Sequence, residues 1–122
     1  MHKIRKMVKD DKKSILKILK RTGVFSKKEI KVGEELIDSF IKDRDQSDYI
    51  IYVSEFNGNV SGYVCFGPTP CTENTFDLYW IAVDPKFYGQ GVGSQLLSLA
   101  EKKNQIVWRK NDNYRDILDK KV

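Results

Sequence analysis

Asp77-Leu78-Tyr79-Trp80-Ile81-Ala82-Val83-Asp84-Pro85-Lys86-Phe87-Tyr88-Gly89-Gln90-Gly91-Val92-Gly93-Ser94-Gln95-Leu96-Leu97-Ser98-Leu99-Ala100 reads as a strand, a proline-led turn, a glycine-rich loop and a helix start in succession. Gly89, Gly91 and Gly93 alternate where the chain must bend tightly and let backbone N–H groups converge. A helix that begins there aims its positive dipole end outward. Such a junction is a cradle for phosphate.

The commonest glycine fingerprints do not fit this loop. A mononucleotide P-loop needs Lys and then Ser or Thr after its last glycine, whereas Gly93 is followed by Ser94 and Gln95. A dinucleotide fingerprint is spaced Gly-x-Gly-x-x-Gly, and Gly89-x-Gly91-x-Gly93 is not. The segment instead resembles the acyl-CoA-binding motif of the GNAT superfamily of N-acetyltransferases, Gln/Arg-x-x-Gly-x-Gly/Ala after a strand ending in an apolar-x-Val-x-Pro run. Ile81-Ala82-Val83-Asp84-Pro85 supplies the strand end and Tyr88-Gly89-Gln90-Gly91-Val92-Gly93 the loop. Tyr88 departs from the pattern, standing where the family has Gln or Arg.

The resemblance implies specific positions. Ile81, Ala82 and Val83 would lie beside the pantetheine arm of acetyl-CoA, on a strand that carries a bulge and splays from its neighbour. Main-chain amides of Tyr88, Gly89, Gln90, Gly91, Val92 and Gly93, with Ser94, would hold the pyrophosphate. Val92, Leu96, Leu97 and Leu99 would form the core face of the helix. The implied chemistry is direct transfer: an amine attacks the thioester carbonyl, a main-chain N–H near Leu78 to Ile81 stabilises the oxyanion, and a base takes the ammonium proton. Asp77 and Glu73, at or just before the strand lining the cleft, are the candidates for that base. Tyr79 is a further acid–base candidate, although on strand alternation it could simply pack. No metal is implied. His2, the one histidine, precedes the first strand and carries no assigned role.

Outward from this segment, the rest of the chain reads as the front of the same fold. Ile4 to Val8 alternates as a short strand, and Asp10-Asp11 offers an N-cap to a helix burying Ile15, Leu16, Ile18 and Leu19 and stopping at Gly23. Ser26 with Glu29 is a capping box for a second helix, whose apolar set is Ile30, Leu36, Ile37, Phe40 and Ile41, interrupted by Gly33. The charged run from Asp43 to Asp48 ends it. Tyr49 to Phe56 and Asn59 to Gly67 are strands joined by Asn57-Gly58, the strongest short hairpin signal. Residues 68–74 form a loop by composition, and Thr75 to Val83 is a third meander strand. The order β-α-α-β-β-β-loop-α is that of the amino-terminal two-thirds of a GNAT domain. The expected class is α+β: a mixed, mostly antiparallel sheet with helices on both faces, in one domain over residues 1–122.

A complete domain of this superfamily continues with a strand, a helix and two further strands. Here residues 104–122 follow, and the expectation is a degenerate or truncated carboxyl-terminal part. Ile106-Val107-Trp108 suits a short strand and residues 113–121 a brief helix. The family's thiolate-protonating tyrosine has no counterpart in register, since Tyr114 lies too close to Asn113, and none is assigned. Losing the last strands would expose a sheet edge that a second subunit could cover, which favours a homodimer.

At 122 residues the chain is long enough for a single core. No run of 18 apolar residues occurs, and residues 1–20 are studded with lysines, so the expected location is the cytoplasm with no membrane partner. Cys65 and Cys71 match neither a metal spacing nor a disulfide framework. The net charge of +5 is segregated: residues 1–31 carry 12 basic against 3 acidic side chains, and residues 32–100 carry 3 against 10. The basic stretch lacks the interleaved aromatics of a nucleic-acid binder, and the acidic middle favours a cationic acceptor. The functional expectation is an acetyl-CoA-dependent N-acetyltransferase acting on a small-molecule or peptide amine. The alternative is a catalytically impaired CoA-binding or interaction module.

Overall fold

Alternating apolar residues in three adjacent runs, joined by tight or short connections, build an antiparallel meander against which the remaining elements pack. The structure, a computed structural model, describes residues 2–43, 49–68 and 76–104. The strands β1 (Lys3–Lys6), β2 (Ile50–Phe56), β3 (Asn59–Pro68) and β4 (Phe76–Val83) lie in the order β1-β2-β3-β4. Every pairing among the described strands is antiparallel. The mixed character expected of the sheet would need a strand in the segment around Ile106, which lies outside the described residues, as do the short helix expected over 113–121 and Tyr114.

Among the described residues three helices cover the two faces. α1 (Lys12–Thr22) and α2 (Lys27–Lys42) pack on one, where Ile15, Ile18, Leu19, Ile37 and Phe40 meet Ile51, Val53, Tyr63 and Cys65. α3 (Val92–Asn104) packs on the other, where Val92, Leu96, Leu97 and Ala100 meet Val64, Phe66, Ile81 and Val83. The strict alternation of β3 through Tyr63, Val64, Cys65 and Phe66 is what feeds both cores.

Local signals place the helix ends. Ser26 Oγ accepts from the Glu29 N–H at 3.1 Å while Glu29 Oε1 accepts from the Ser26 N–H at 2.8 Å, the reciprocal box read from the sequence. Gly23 closes α1 in the left-handed region at φ 70°. Asp11 does not act as the expected cap. Its carboxylate turns back to accept from the Val8 N–H at 2.8 Å and from both terminal nitrogens of Arg5 at 2.8 and 2.9 Å. Arg5 Nε also donates to Glu55 at 2.8 Å, so β1, β2 and the entry to α1 share one guanidinium. Burial pushes the Asp11 carboxyl up, but the bonds from Arg5 and Val8 and the Arg5 charge outweigh it and hold the group below its ordinary value.

Two irregularities in the ladder re-aim side chains. Between Ser54 and Glu55 of β2 the register skips Ser61, which becomes the extra residue on β3. Between Cys65 and Phe66 of β3 it skips Tyr79, the extra residue on β4. Because each strand alternates with period two, a one-residue bulge reverses the facing beyond it. Thus Phe76 and Leu78 share the α3 face with Ile81 and Val83, which simple alternation forbids.

Candidate active site

The candidate site is the end of β4, its edge and the loop that carries the chain into α3. Asp84 fixes the exit from the strand. Its N–H donates to the Ser61 carbonyl at 2.8 Å, and its buried carboxylate accepts from Arg21 at 2.8 Å and from the Lys86 N–H at 3.2 Å. Pro85 to Phe87 then form one 3₁₀ turn. Gly89 and Gly91 both lie in the left-handed region, at φ 81° and 77°, which any side chain would make costly. The first helical bond runs from the Gln95 N–H to the Gly91 carbonyl at 3.0 Å. The N–H groups of the preceding first turn have no intrahelical acceptor and open beside exposed Gly89, Gln90, Gly91 and Ser94.

This geometry fits a pyrophosphate. Helix-start N–H groups without intrahelical acceptors, left-handed glycines with no heavy atom in the space a Cβ would fill, and a helix N-terminus are the parts an anion of that kind needs. Gly93 and Val92 contribute main chain from within the helix, and Val92's side chain is fully buried. Tyr88 is turned the other way. Its ring packs against the α3-face core, and its hydroxyl is buried with no hydrogen-bond partner among the described residues. Burial and then the nearby Asp84 charge raise its pKa. The departure from the family's Gln or Arg therefore substitutes a packing anchor for a polar side chain.

On β4, Ile81, Ala82 and Val83 are all buried, so any contact they make with an extended ligand runs through main chain. Among the described residues β4 pairs on one side only, with β3, and its bulge sits at Tyr79, within the span where an oxyanion donor is expected. Asp77 is buried opposite Gly67, and alternation from Cys65 puts it on the α1/α2 face. Tyr79 is exposed at the bulge, where its ring meets Tyr49 edge-on at 5.8 Å and its hydroxyl donates to the Pro68 carbonyl at 3.4 Å. Glu73 and Cys71 lie outside the described residues. Cys65 is buried, and burial pushes its thiol pKa well up, which makes it inert. No group of three or more potential metal ligands occurs among the described residues.

The profile of the Acetyltransferase (GNAT) family matches residues 13–107. The chain belongs to the GNAT acetyltransferase family. A GNAT-family protein from Desulfovibrio desulfuricans is similar to it at 32% identity, with a TM-score of 0.81 over 86% of this chain and 67% of that one. The PaiA N-acetyltransferase of Thermoplasma acidophilum, solved with coenzyme A, shares the fold at 17% identity and TM-score 0.71, covering 98% of this chain and 87% of that one. A GNAT acetyltransferase of Brucella melitensis, solved with acetyl-CoA, does so at 18% and 0.69, covering 95% and 81%. A search of curated proteins finds no match.

Three residues of this GNAT site escape a motif reading. Gly62 of β3 lies where a Cβ would stand 2.9 Å from the Ala82 carbonyl oxygen and 3.0 Å from Val92, so glycine is what lets α3 approach the sheet. A glycine inside a strand pattern is the signal that could have found it. Asp84 could have been found as an Asp-Pro cap after a strand. His2 carried no signal, yet it touches the glycine loop: its Nε2 lies 2.8 Å from Gln90 Oε1. A cavity of about 210 Å³ is lined by Lys17, Arg21 and Lys86 together with the Asp84 carboxylate, which Arg21 pairs at 2.8 Å.

Proposed function

We propose that this GNAT domain transfers the acetyl group of acetyl-CoA to a primary amine of a small molecule or peptide by direct attack. The observation that carries the reading is the β4–α3 junction, where two left-handed glycines lead into helix-start amides without intrahelical acceptors, at the end of a bulged strand that pairs on one side only among the described residues. The loop amides of residues 88–93 and Ser94 hold the pyrophosphate. The main chain of Ile81, Ala82 and Val83 aligns the pantetheine arm, and an N–H near the Tyr79 bulge donates to the carbonyl oxygen as it becomes an oxyanion. The amine nitrogen bonds to the carbonyl carbon, the carbon–sulfur bond breaks, and Asp77 or Glu73 accepts the ammonium proton. Support for Asp77 comes from its burial on β4, two residues before the bulge.

Among the described residues no helix is long and apolar enough to cross a membrane. The proposed enzyme acts in the cytoplasm as a homodimer, the second copy covering the β4 edge that is unpaired among the described residues. Titration calorimetry with acetyl-CoA, followed by thiol release with a pool of amines, tests the assignment. Saturable binding with amine-dependent release is expected. Binding without release across the pool would support the impaired module instead, and absence of binding would remove acetyl-CoA from the account.

A further inference from the structure

The loop that grips phosphate is hinged by left-handed glycines on both sides of Gln90, so its order depends on what Gln90 holds. Gln90 is exposed, and its side-chain oxygen meets His2 Nε2 at 2.8 Å across 88 residues of sequence. An amide oxygen only accepts, so with this orientation Nε2 carries a proton and donates it. His2 is itself held from behind. Its Nδ1 lies 3.0 Å from Ser61 Oγ, which lies 3.0 Å from Ser54 Oγ, and both serines are fully buried. The ring also packs on Phe56 at 5.0 Å and edge-on to Phe87 at 5.2 Å, while Phe56 and Phe87 meet at 5.7 Å.

The arrangement is built from four separate places in the chain. His2 leads into β1, Ser54 and Phe56 come from β2, Ser61 is the residue the bulge adds to β3, and Phe87 closes the 3₁₀ turn before the loop. The bulge is what turns the Ser61 hydroxyl to the imidazole. We infer that His2 is a positioning residue for donor binding: anchored on Ser61 and wedged between Phe56 and Phe87, it tethers Gln90 and preorganises the glycine loop for the pyrophosphate. The inference rests on reading residues 88–94 as the pyrophosphate grip. A loop already held in its binding geometry loses less freedom on ligation, so the tether raises affinity without touching the ligand.

The test compares His2→Ala, His2→Asn and His2→Gln in the full chain by two measurements. The first is hydrogen exchange of the amides of residues 89–93 without ligand, and the second is calorimetric binding of coenzyme A. Asn places its amide near the Nδ1 position and so serves Ser61, whereas Gln reaches the Nε2 position and so serves Gln90. Loss of the tether in the Ala and Asn variants is expected to speed exchange at 89–93 and weaken coenzyme A binding about five- to tenfold, with the Gln variant restoring most of both. Exchange in β2 and β3 should stay as in the unmutated chain. Equal binding and equal loop exchange in His2→Ala would overturn the inference, as would faster exchange spread through the whole sheet. Failure of the unmutated chain to bind coenzyme A would overturn the donor role assigned to the tether and the acetyl-CoA reading with it. Loop exchange would then still decide whether His2 orders Gln90.

Discussion

At the scale of single residues, contacts shorter than a side chain tolerates decide more than charge does. A methyl group at position 62 would press on the backbone oxygen of Ala82, which cannot swing away as a flexible side chain could. Gly62→Ala should therefore destabilise the fold by about 1–3 kcal/mol, read as a lower denaturant midpoint. Asp77 offers a different test. If it is the base, Asp77→Asn keeps the shape and removes the proton acceptor, so kcat should fall roughly 10²–10⁴-fold while KM for acetyl-CoA stays within a factor of two. Thiol-release kinetics separate the two parameters. An unchanged kcat would shift the role to Glu73. Asp77 was legible as a candidate because a carboxylate on the cleft strand is visible in sequence. The face it occupies was not, because the Tyr79 bulge resets the facing of β4 and moves Asp77 to the α1/α2 side.

Among the elements, α3 and its entry loop depend on backbone conformation more than on side-chain chemistry. Gly91 holds φ 77°, a conformation costing a residue with a Cβ about 1–2 kcal/mol. Gly91→Ala should lower affinity for coenzyme A about tenfold, because the loop relaxes away from the conformation that aims its amides. Calorimetry on the folded variant checks this, and its circular dichroism should remain that of the parent. The glycine spacing made this loop readable from sequence. The capping box of α2 was equally readable, since Ser26 and Glu29 interact within one turn. The cap proposed for α1 was not, because Arg5 competes for the Asp11 carboxylate from another element and wins with two charge-assisted bonds.

For the whole molecule, the Arg5 cluster ties β1, β2 and the start of α1 together. Asp11 titrates below its ordinary value in the folded state, so the unfolded chain takes up its proton first as pH falls. The stability it contributes is present above the ordinary carboxylate pKa of about 4 and is lost as pH drops through the depressed folded value. Urea unfolding between pH 6 and pH 3 should show that loss, and Asp11→Asn should flatten the acid limb while lowering stability at pH 6 by about 1–3 kcal/mol. An equally steep acid limb in the variant would assign the effect to other carboxylates.

Periodicity, turn chemistry and the glycine loop are local in the chain, so the sequence by itself determined the order of elements and the position of the glycine-rich strand-to-helix junction. Tertiary structure alone decided which distant residues meet that junction. Two one-residue bulges reverse side-chain facing without any mark in the residues that cause them, and they make Ser61, which meets His2, and exposed Tyr79 the extra residues of their strands. Placing His2 beside Gln90 likewise needed the β1–β2, β2–β3 and β3–β4 registers to be summed across the sheet before the two ends could meet. Local preference acts over a few residues, whereas such a contact exists only after the strands have paired.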